Sequence, residues 1–220
     1  MNRIVSPVRA YIKCKDKFVR MFKFAAGCEA SGYVVVDELE EWNKLYSQYQ
    51  NDIELIYLET LAINSRYSLE DLRKTKARVE FGAVVREGAI LSDTCIVLMG
   101  AVVNVGARIG ENTMIDMNAV VGSGAVIGDN CHISAGVVIA GIMEPISSEN
   151  VIIEDNVFIG ANSVIFEGVK IGRGSIVGAG SIVTKDVEES SVVYGNPAKI
   201  IRSKKDEDNI KVQLNQNLRK

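Results

Sequence analysis

The stretch Val79–Ile139 reads VEFGAVVREGAILSDTCIVLMGAVVNVGARIGENTMIDMNAVVGSGAVIGDNCHISAGVVI, with an aliphatic residue at every sixth position. These residues are Val79, Val85, Leu91, Val97, Val103, Ile109, Ile115, Val121, Ile127, Ile133 and Ile139. The count resumes in shifted phase at Ile153, Ile159, Ile165, Ile171, Val177 and Val183, so seventeen slots hold seventeen aliphatic side chains. With 47% hydrophobic residues in the chain, chance would produce this roughly a few times per million trials. Four residues after each aliphatic the side chain is mostly small, as at Ala83, Ala89, Cys95, Ala101, Ala107, Thr113, Ala119, Ala125, Cys131, Ser163, Ser175 and Ser181. Gly often follows the aliphatic directly, as at Gly110, Gly122, Gly128, Gly160, Gly172 and Gly178.

A period of six is neither the 3.6 of a helix nor the alternation of a long strand. It fits a short strand plus a turn, repeated, with three units closing a triangular coil that points every aliphatic residue inward. Coils stacked at ~4.8 Å make a prism of about six coils, roughly 27 Å long. Small residues let the chain turn its corners, and the glycines are expected to take the φ values that other residues resist. Between Ile139 and Ile153 the spacing is fourteen, read here as twelve plus a slip of two. The slip holds Gly141-Ile142-Met143-Glu144-Pro145-Ile146. It is either a tolerated loop insertion or a loop that leaves the coil to meet a neighbouring subunit.

The rest of the composition bounds the function. The chain has 220 residues, 25 Lys+Arg against 28 Asp+Glu, and a formal net charge of −3. A general nucleic-acid binder or a protein seated on an anionic membrane would carry a basic excess. The hydrophobic content excludes a disordered chain, and no run approaches the ~18 apolar residues of a membrane span. The opening MNRIVSPVRAYIKCKDKF has scattered charges and no apolar signal core, so a cytoplasmic protein is expected. Cys14, Cys28, Cys95 and Cys131 form no CxxC pair, which argues against a disulfide framework or a cysteine zinc site. A metal hydratase on a β-helix would need about three His per zinc; this chain has only His132, and no metal is expected.

Residues 1–76 lack the repeat and are expected to form a small α/β domain. Tyr33–Val36 reads as a strand. Asp37 reads as the N-cap of a helix over 38–50, with Trp42, Leu45 and Tyr49 on its buried face. Ser68 and Asp71 suggest a further helix start over Leu69–Lys74. The repeat domain spans 77–202, and 203–220 is expected as a short helix or a frayed tail.

The segment Ile159-Gly160-Ala161-Asn162-Ser163-Val164 resembles the hexapeptide-repeat acyltransferases. The resemblance implies a mainly β fold built on a left-handed parallel β-helix, a known exception to right-handed crossovers. A β-helix that binds without catalysing is the competing reading. Gly110–Ala119, Asn130–Gly136, Ala140–Pro145 and Ile152–Ala161 are similar to the tetrahydrodipicolinate N-acyltransferases, the N-acetyl form being closer. That implies transfer of the acetyl group of acetyl-CoA to the amine nitrogen of tetrahydrodipicolinate, with ring opening by water. The product would be N-acetyl-2-amino-6-oxopimelate, on the diaminopimelate route to lysine. It also implies a homotrimer with sites in the clefts between prisms. Phe81 and Ile146 stand where the family usually has Pro, and Ile63 where it has Arg. Another amino acceptor, an amino sugar or an amino acid, therefore stays open.

Moving an acyl group from a thioester to an amine needs a base, a stabilised oxyanion and aligned reactants. His132 is a candidate base, against the plainer reading of a histidine satisfied on a coil. It precedes inward Ile133, while Asp116 follows inward Ile115, so both project outward from one face. The two backbones are offset by one coil and two residues, ~8 Å. Arg78, two coils from Asp116, suits a substrate carboxylate. In succinyl-transferring relatives the residues matching Arg78 and Asp116 contact the acceptor, so the resemblance implies substrate binding by both. Asp116 would contact the amine or act as the base itself, and Glu144 is a further carboxylate candidate, against a solvated loop charge. Backbone N–H groups at a coil edge, with Gly136 or Gly141 allowing close approach, are the default oxyanion donors. For CoA the candidates are Gly141, Ala161, Ala179, Lys185 and Lys199; Gly195–Lys199 resembles a family motif near CoA.

Overall fold

The computed structural model describes residues 8–14, 26–28, 31–36, 39–60, 65–143 and 149–219. They fall into two compact units, divided between Ser68 and Leu69.

The first unit is an antiparallel sheet with one helix. Strands β1 (Val8–Cys14), β2 (Ala26–Cys28), β3 (Ser31–Val36) and β4 (Ile53–Thr60) lie in the order β2-β3-β1-β4. Ala10 and Ile12 alternate with Arg9, Tyr11 and Lys13 along β1, so one face of the strand is buried. Helix α1 (Leu39–Tyr49) adds Trp42, fully buried beside Ala10, Ile12 and Ile53. Tyr46 stacks on Trp42 with ring centroids 5.8 Å apart. The buried stripe is therefore Trp42, Tyr46 and Tyr49 rather than one through Leu45; steps of four and three keep those aromatics on one side of a 3.6-residue helix. Asp37, the expected N-cap, lies outside the described residues.

The second unit is a parallel β-helix of about six coils. Three flat faces are built of two-residue strands, each hydrogen-bonded to the strand one coil away. The first face carries Arg78–Val79, Ile96–Val97, Met114–Ile115, His132–Ile133, Phe158–Ile159 and Ile176–Val177. The second begins at Val84–Val85 and the third at Ile90–Leu91. Ile115 sits directly over Val97 and under Ile133. The every-sixth aliphatics fill the interior, fully buried from Val97 to Val183. Each such side chain stabilises by about 1.5–3 kcal/mol over leaving it in water. The small residues sit at the inner corners. There Thr113 donates to the Gly128 carbonyl (2.7 Å), Ser163 to Gly178 (3.0 Å) and Ser175 to Glu188 (2.7 Å), so no buried hydroxyl is left unmatched at these corners.

Three expectations are corrected. Ile127 pairs with Ile153, 26 residues on, where Ile109 pairs with Ile127 after 18; the insertion is therefore eight residues within one strand-to-strand step, not a slip of two across two steps. Periodicity alone cannot tell the two apart, because the missing aliphatic slot is invisible inside the loop.

The glycines that follow the aliphatics do not carry the positive φ. That conformation falls two residues later, on residues such as Gly136 (φ 69°) and Asn118 (φ 56°). Asn reaches this left-handed region through its short polar side chain. Gly160 is glycine for a different reason: a Cβ there would lie 2.4 Å from the Ala179 nitrogen of the next coil.

Leu69–Lys74 does not form a helix. Only Leu72–Lys74 makes a single 3-10 turn, and Leu69 instead bridges Arg86, with the Glu70 N–H donating to the Val85 carbonyl (2.9 Å). Strand edge partners outcompete a turn too short to nucleate.

The last coil closes with Ser191–Gly195, parallel to Ile176–Val177 and then paired antiparallel with Ala198–Ser203. Helix α2 (Asp206–Lys211) follows, its Asp208 held by a two-pronged bond from Arg202. A 3-10 turn, Gln216–Arg219, ends the described chain. No described helix is long and apolar enough to cross a membrane.

Candidate active site

The parallel register fixes which side chains share the outside of the first face. One outward column runs Arg78, Ile96, Met114, His132, Phe158 and Ile176. Asp116 stands one coil below His132 and two residues along, at the corner where the chain leaves this face. Its backbone N–H donates to the Ile133 carbonyl (2.8 Å). Its Oδ1 accepts from the Met117 N–H (2.7 Å), which turns Oδ2 towards His132. The Nε2–Oδ2 separation is 3.7 Å, with both side chains about four-fifths buried.

The face of the His132 ring lies on Phe158, with centroids 5.2 Å apart and planes 9° from parallel. Burial pushes the imidazole below its ordinary pKa; the Asp116 carboxylate opposes that and the Arg219 guanidinium adds to it. His132 is thus held in its neutral form near neutral pH, with a carboxylate placed to stabilise the cation when a proton arrives.

Arg78 stands three coils below His132 and two below Asp116, at the foot of the same column. Its Nη1 donates to the Leu218 carbonyl (2.8 Å), and its Nε lies 3.6 Å from Glu80 Oε1. Arg219 Nε donates to the Asn112 carbonyl (3.1 Å). The 3-10 turn is thereby fastened across the coils of Arg78 and Met114. Outward Ile96 and Met114, bracketed by these two bonds, are only 2% and 3% exposed. Outward Val120 and Val138 on the second face are 37% and 39% exposed.

The structure thus brings Arg78, Asp116 and His132 to one stripe. Glu144 lies outside the described residues. Ala161 and Ala179 stack on adjacent coils at the corner beside Asp116, linked by the Gly180 N–H donating to the Ala161 carbonyl (2.8 Å). Down that corner the same position is Ala135, Met117 and Met99, so side-chain bulk falls towards the later coils. Gly141 sits at the next corner, pressed on Ser123: a Cβ there would meet the Ser123 nitrogen at 2.5 Å. Lys185 is exposed at that same corner of the last coil, and Lys199 is exposed on the terminal strand opposite Tyr194. The five positions therefore occupy three separate places.

Phe158 and Arg219 were not among the sequence candidates. Phe158 becomes visible once the eight-residue insertion is counted correctly, since it then falls one coil above His132. Arg219 lies outside the repeat, and no periodicity points to it. Among the described residues no group of three or more His, Cys, Asp or Glu is placed to hold a metal ion.

Comparison with known proteins gives two family matches. Residues 106–141 match the family described as bacterial transferase hexapeptide (six repeats), and 150–185 match the hexapeptide repeat of succinyl-transferase. A curated 2,3,4,5-tetrahydropyridine-2,6-dicarboxylate N-acetyltransferase of Thermotoga neapolitana is 52% identical over 197 residues, covering 90% of this chain and 83% of its own length. The protein of the same name from Staphylococcus carnosus is 48% identical, over 85% of this chain and 78% of its own. That from Clostridium botulinum is 49% identical, over 98% and 91%.

Proposed function

This chain belongs to the tetrahydropyridine-2,6-dicarboxylate N-acetyltransferase family of hexapeptide-repeat acyltransferases, and from that membership we propose that it acetylates the amine of tetrahydropyridine-2,6-dicarboxylate with acetyl-CoA. The observation that carries the chemistry is the His132–Asp116 pair, 3.7 Å apart on the outer stripe. Water opens the ring and frees the amine. Neutral His132 removes a proton as the nitrogen attacks the thioester carbonyl. Asp116 faces the amine and stabilises the imidazolium. The C–S bond then breaks, and the CoA sulfur leaves with the proton His132 returns. A positioned base of this kind contributes about 10²–10⁴-fold in rate. Arg78 takes a substrate carboxylate.

The corner of Ala161 and Ala179 suits the pantetheine arm, since its bulk is lowest there. Lys185 and Lys199, both exposed on the later part of the prism, are the cations for the CoA phosphates. Glu144 is kept as a further candidate carboxylate for this chemistry, and Gly141 as a point of close approach for CoA.

We infer that copies associate through the second face; that three of them do so is what the resemblance to the hexapeptide-repeat acyltransferases implies. The outward column of that face is Val84, Val102, Val120, Val138, Val164 and Ile182, an unbroken aliphatic stripe on adjacent coils. Such a stripe is the kind of surface a second copy covers.

The test is release of free CoA thiol from acetyl-CoA with and without the dicarboxylate, followed by mass spectrometry of the product. Acceptor-dependent thiol release with an N-acetylated, ring-opened product is expected. Thiol release only with an amino sugar would reassign the acceptor.

A further inference from the structure

Two arginines meet on the first face, and the reaction proposed above uses only one of them. Arg78 comes from the first coil. Arg219 arrives through the turn that Arg78 itself anchors at Leu218, 140 residues further along the chain. Arg219 spends one N–H on the Asn112 carbonyl. Among the described residues its buried Nη2 has no hydrogen-bond partner, and neither has the buried Nε of Arg78, for which Glu80 Oε1 at 3.6 Å is out of reach. Burial and the neighbouring Arg78 charge both disfavour the Arg219 cation. Adjacent half-buried guanidinium groups with unused donors are a costly arrangement that bound anions relieve. Arg219 also lies close enough to His132 for its charge to act on that ring. The Arg219 charge thus acts both on Arg78 and on His132.

We propose that Arg219 is a specificity-determining residue of the acceptor site, its guanidinium taking the second carboxylate of a dicarboxylate whose first is held by Arg78, while the amine faces His132 and Asp116. The geometry is a cation pair at the foot of the stripe and a base–carboxylate pair above it. This rests on the acceptor reading above and adds to it: selection of two carboxylates over one resides in a residue outside the repeat.

The experiment titrates the full-length protein with pyridine-2,6-dicarboxylate, an unreactive ring analogue, and with pyridine-2-carboxylate. Wild type, Arg219→Gln and Arg219→Lys are compared by calorimetry. Loss of a charge-assisted bond should weaken dicarboxylate binding about tenfold or more in Arg219→Gln and monocarboxylate binding by under about twofold. Arg219→Lys recovers part of the loss. The KM for acetyl-CoA stays at its wild-type value. A variant truncated after Val212 should also lose the discrimination. Equal weakening of both ligands, no weakening, or tighter binding after truncation would overturn the proposal; the last would make the turn an occluding strap. If wild type binds the dicarboxylate through Arg219 but releases no CoA thiol with the reactive dicarboxylate, the acetyl-transfer reading fails and Arg219 stands. If wild type transfers acetyl and Arg219→Gln is indistinguishable from it, Arg219 falls alone. A wild type that binds neither analogue overturns both.

Discussion

His132 and Asp116 leave the backbone on successive coils, two residues out of register, and their side chains close that offset to 3.7 Å. The carboxylate supports imidazolium, while burial disfavours it. Asp116→Asn removes the support only. The pKa of His132 then falls further, so the acidic limb of the rate profile moves to lower pH. Turnover drops by about 10²-fold, because the cation formed at proton transfer has lost its counter-charge. A full kcat–pH profile of both proteins checks this; a wild-type rate in Asp116→Asn removes the carboxylate from the reaction.

Stability should carry the same signature. In the unfolded chain the imidazole titrates near 6.5, and in the folded chain lower. As pH falls below about 6.5 the unfolded state takes up the proton first, so stability declines until the folded-state pKa is passed. His132→Gln, which has no proton to take up, should show a flatter urea midpoint between pH 7 and 5 than wild type.

The two classes of glycine should respond unequally to substitution. Gly160 has ordinary φ but no room: Ala179 nitrogen would lie 2.4 Å from a Cβ. Gly180 has φ 69° with nothing within 4 Å of a Cβ. Gly160→Ala should cost ~3 kcal/mol through forced separation of the coils. Gly180→Asn should cost under ~1 kcal/mol, since Asn tolerates that conformation. Denaturant melts of the two variants rank them.

Cys95 and Cys131 are buried on the inner corners, and burial pushes both thiols up to about 12. Thiolate is the reactive form, so neither should be alkylated at pH 8 in the folded protein, and both should be after unfolding. Peptide mass spectrometry after iodoacetamide treatment distinguishes the two states.

The prism was legible because its interior repeats: each inward Val, Leu or Ile faces the same environment, and the sequence must satisfy it every sixth residue. The Arg78–Asp116–His132 stripe followed from the same arithmetic, since eighteen residues return the chain to one face. What repetition does not govern stayed hidden. The length of the insertion needed the Ile127–Ile153 pairing. Arg219 reaches the stripe through a non-repeating turn whose placement depends on carbonyls at Leu218 and Asn112. The shift from Leu45 to Tyr46 was decided by aromatic packing on Trp42, which an apolar pattern does not distinguish.

The second face offers the sharpest test of assembly. Val120 and Val138 are consecutive members of its aliphatic column, each more than a third exposed in the single chain. Such a column stays in water at a cost of roughly 25 cal/mol per Å² of apolar surface, which association of copies removes. A charge at its centre makes that burial unfavourable without touching the interior, since Val138 points away from Ile139 and the core. Val138→Glu should therefore keep the β-sheet circular dichroism of wild type while shifting the mass measured by light scattering from trimer to monomer. Acetyl transfer should fall with it if the inserted loop serves a neighbouring copy. A trimer that survives Val138→Glu with full activity would place the interface on another face.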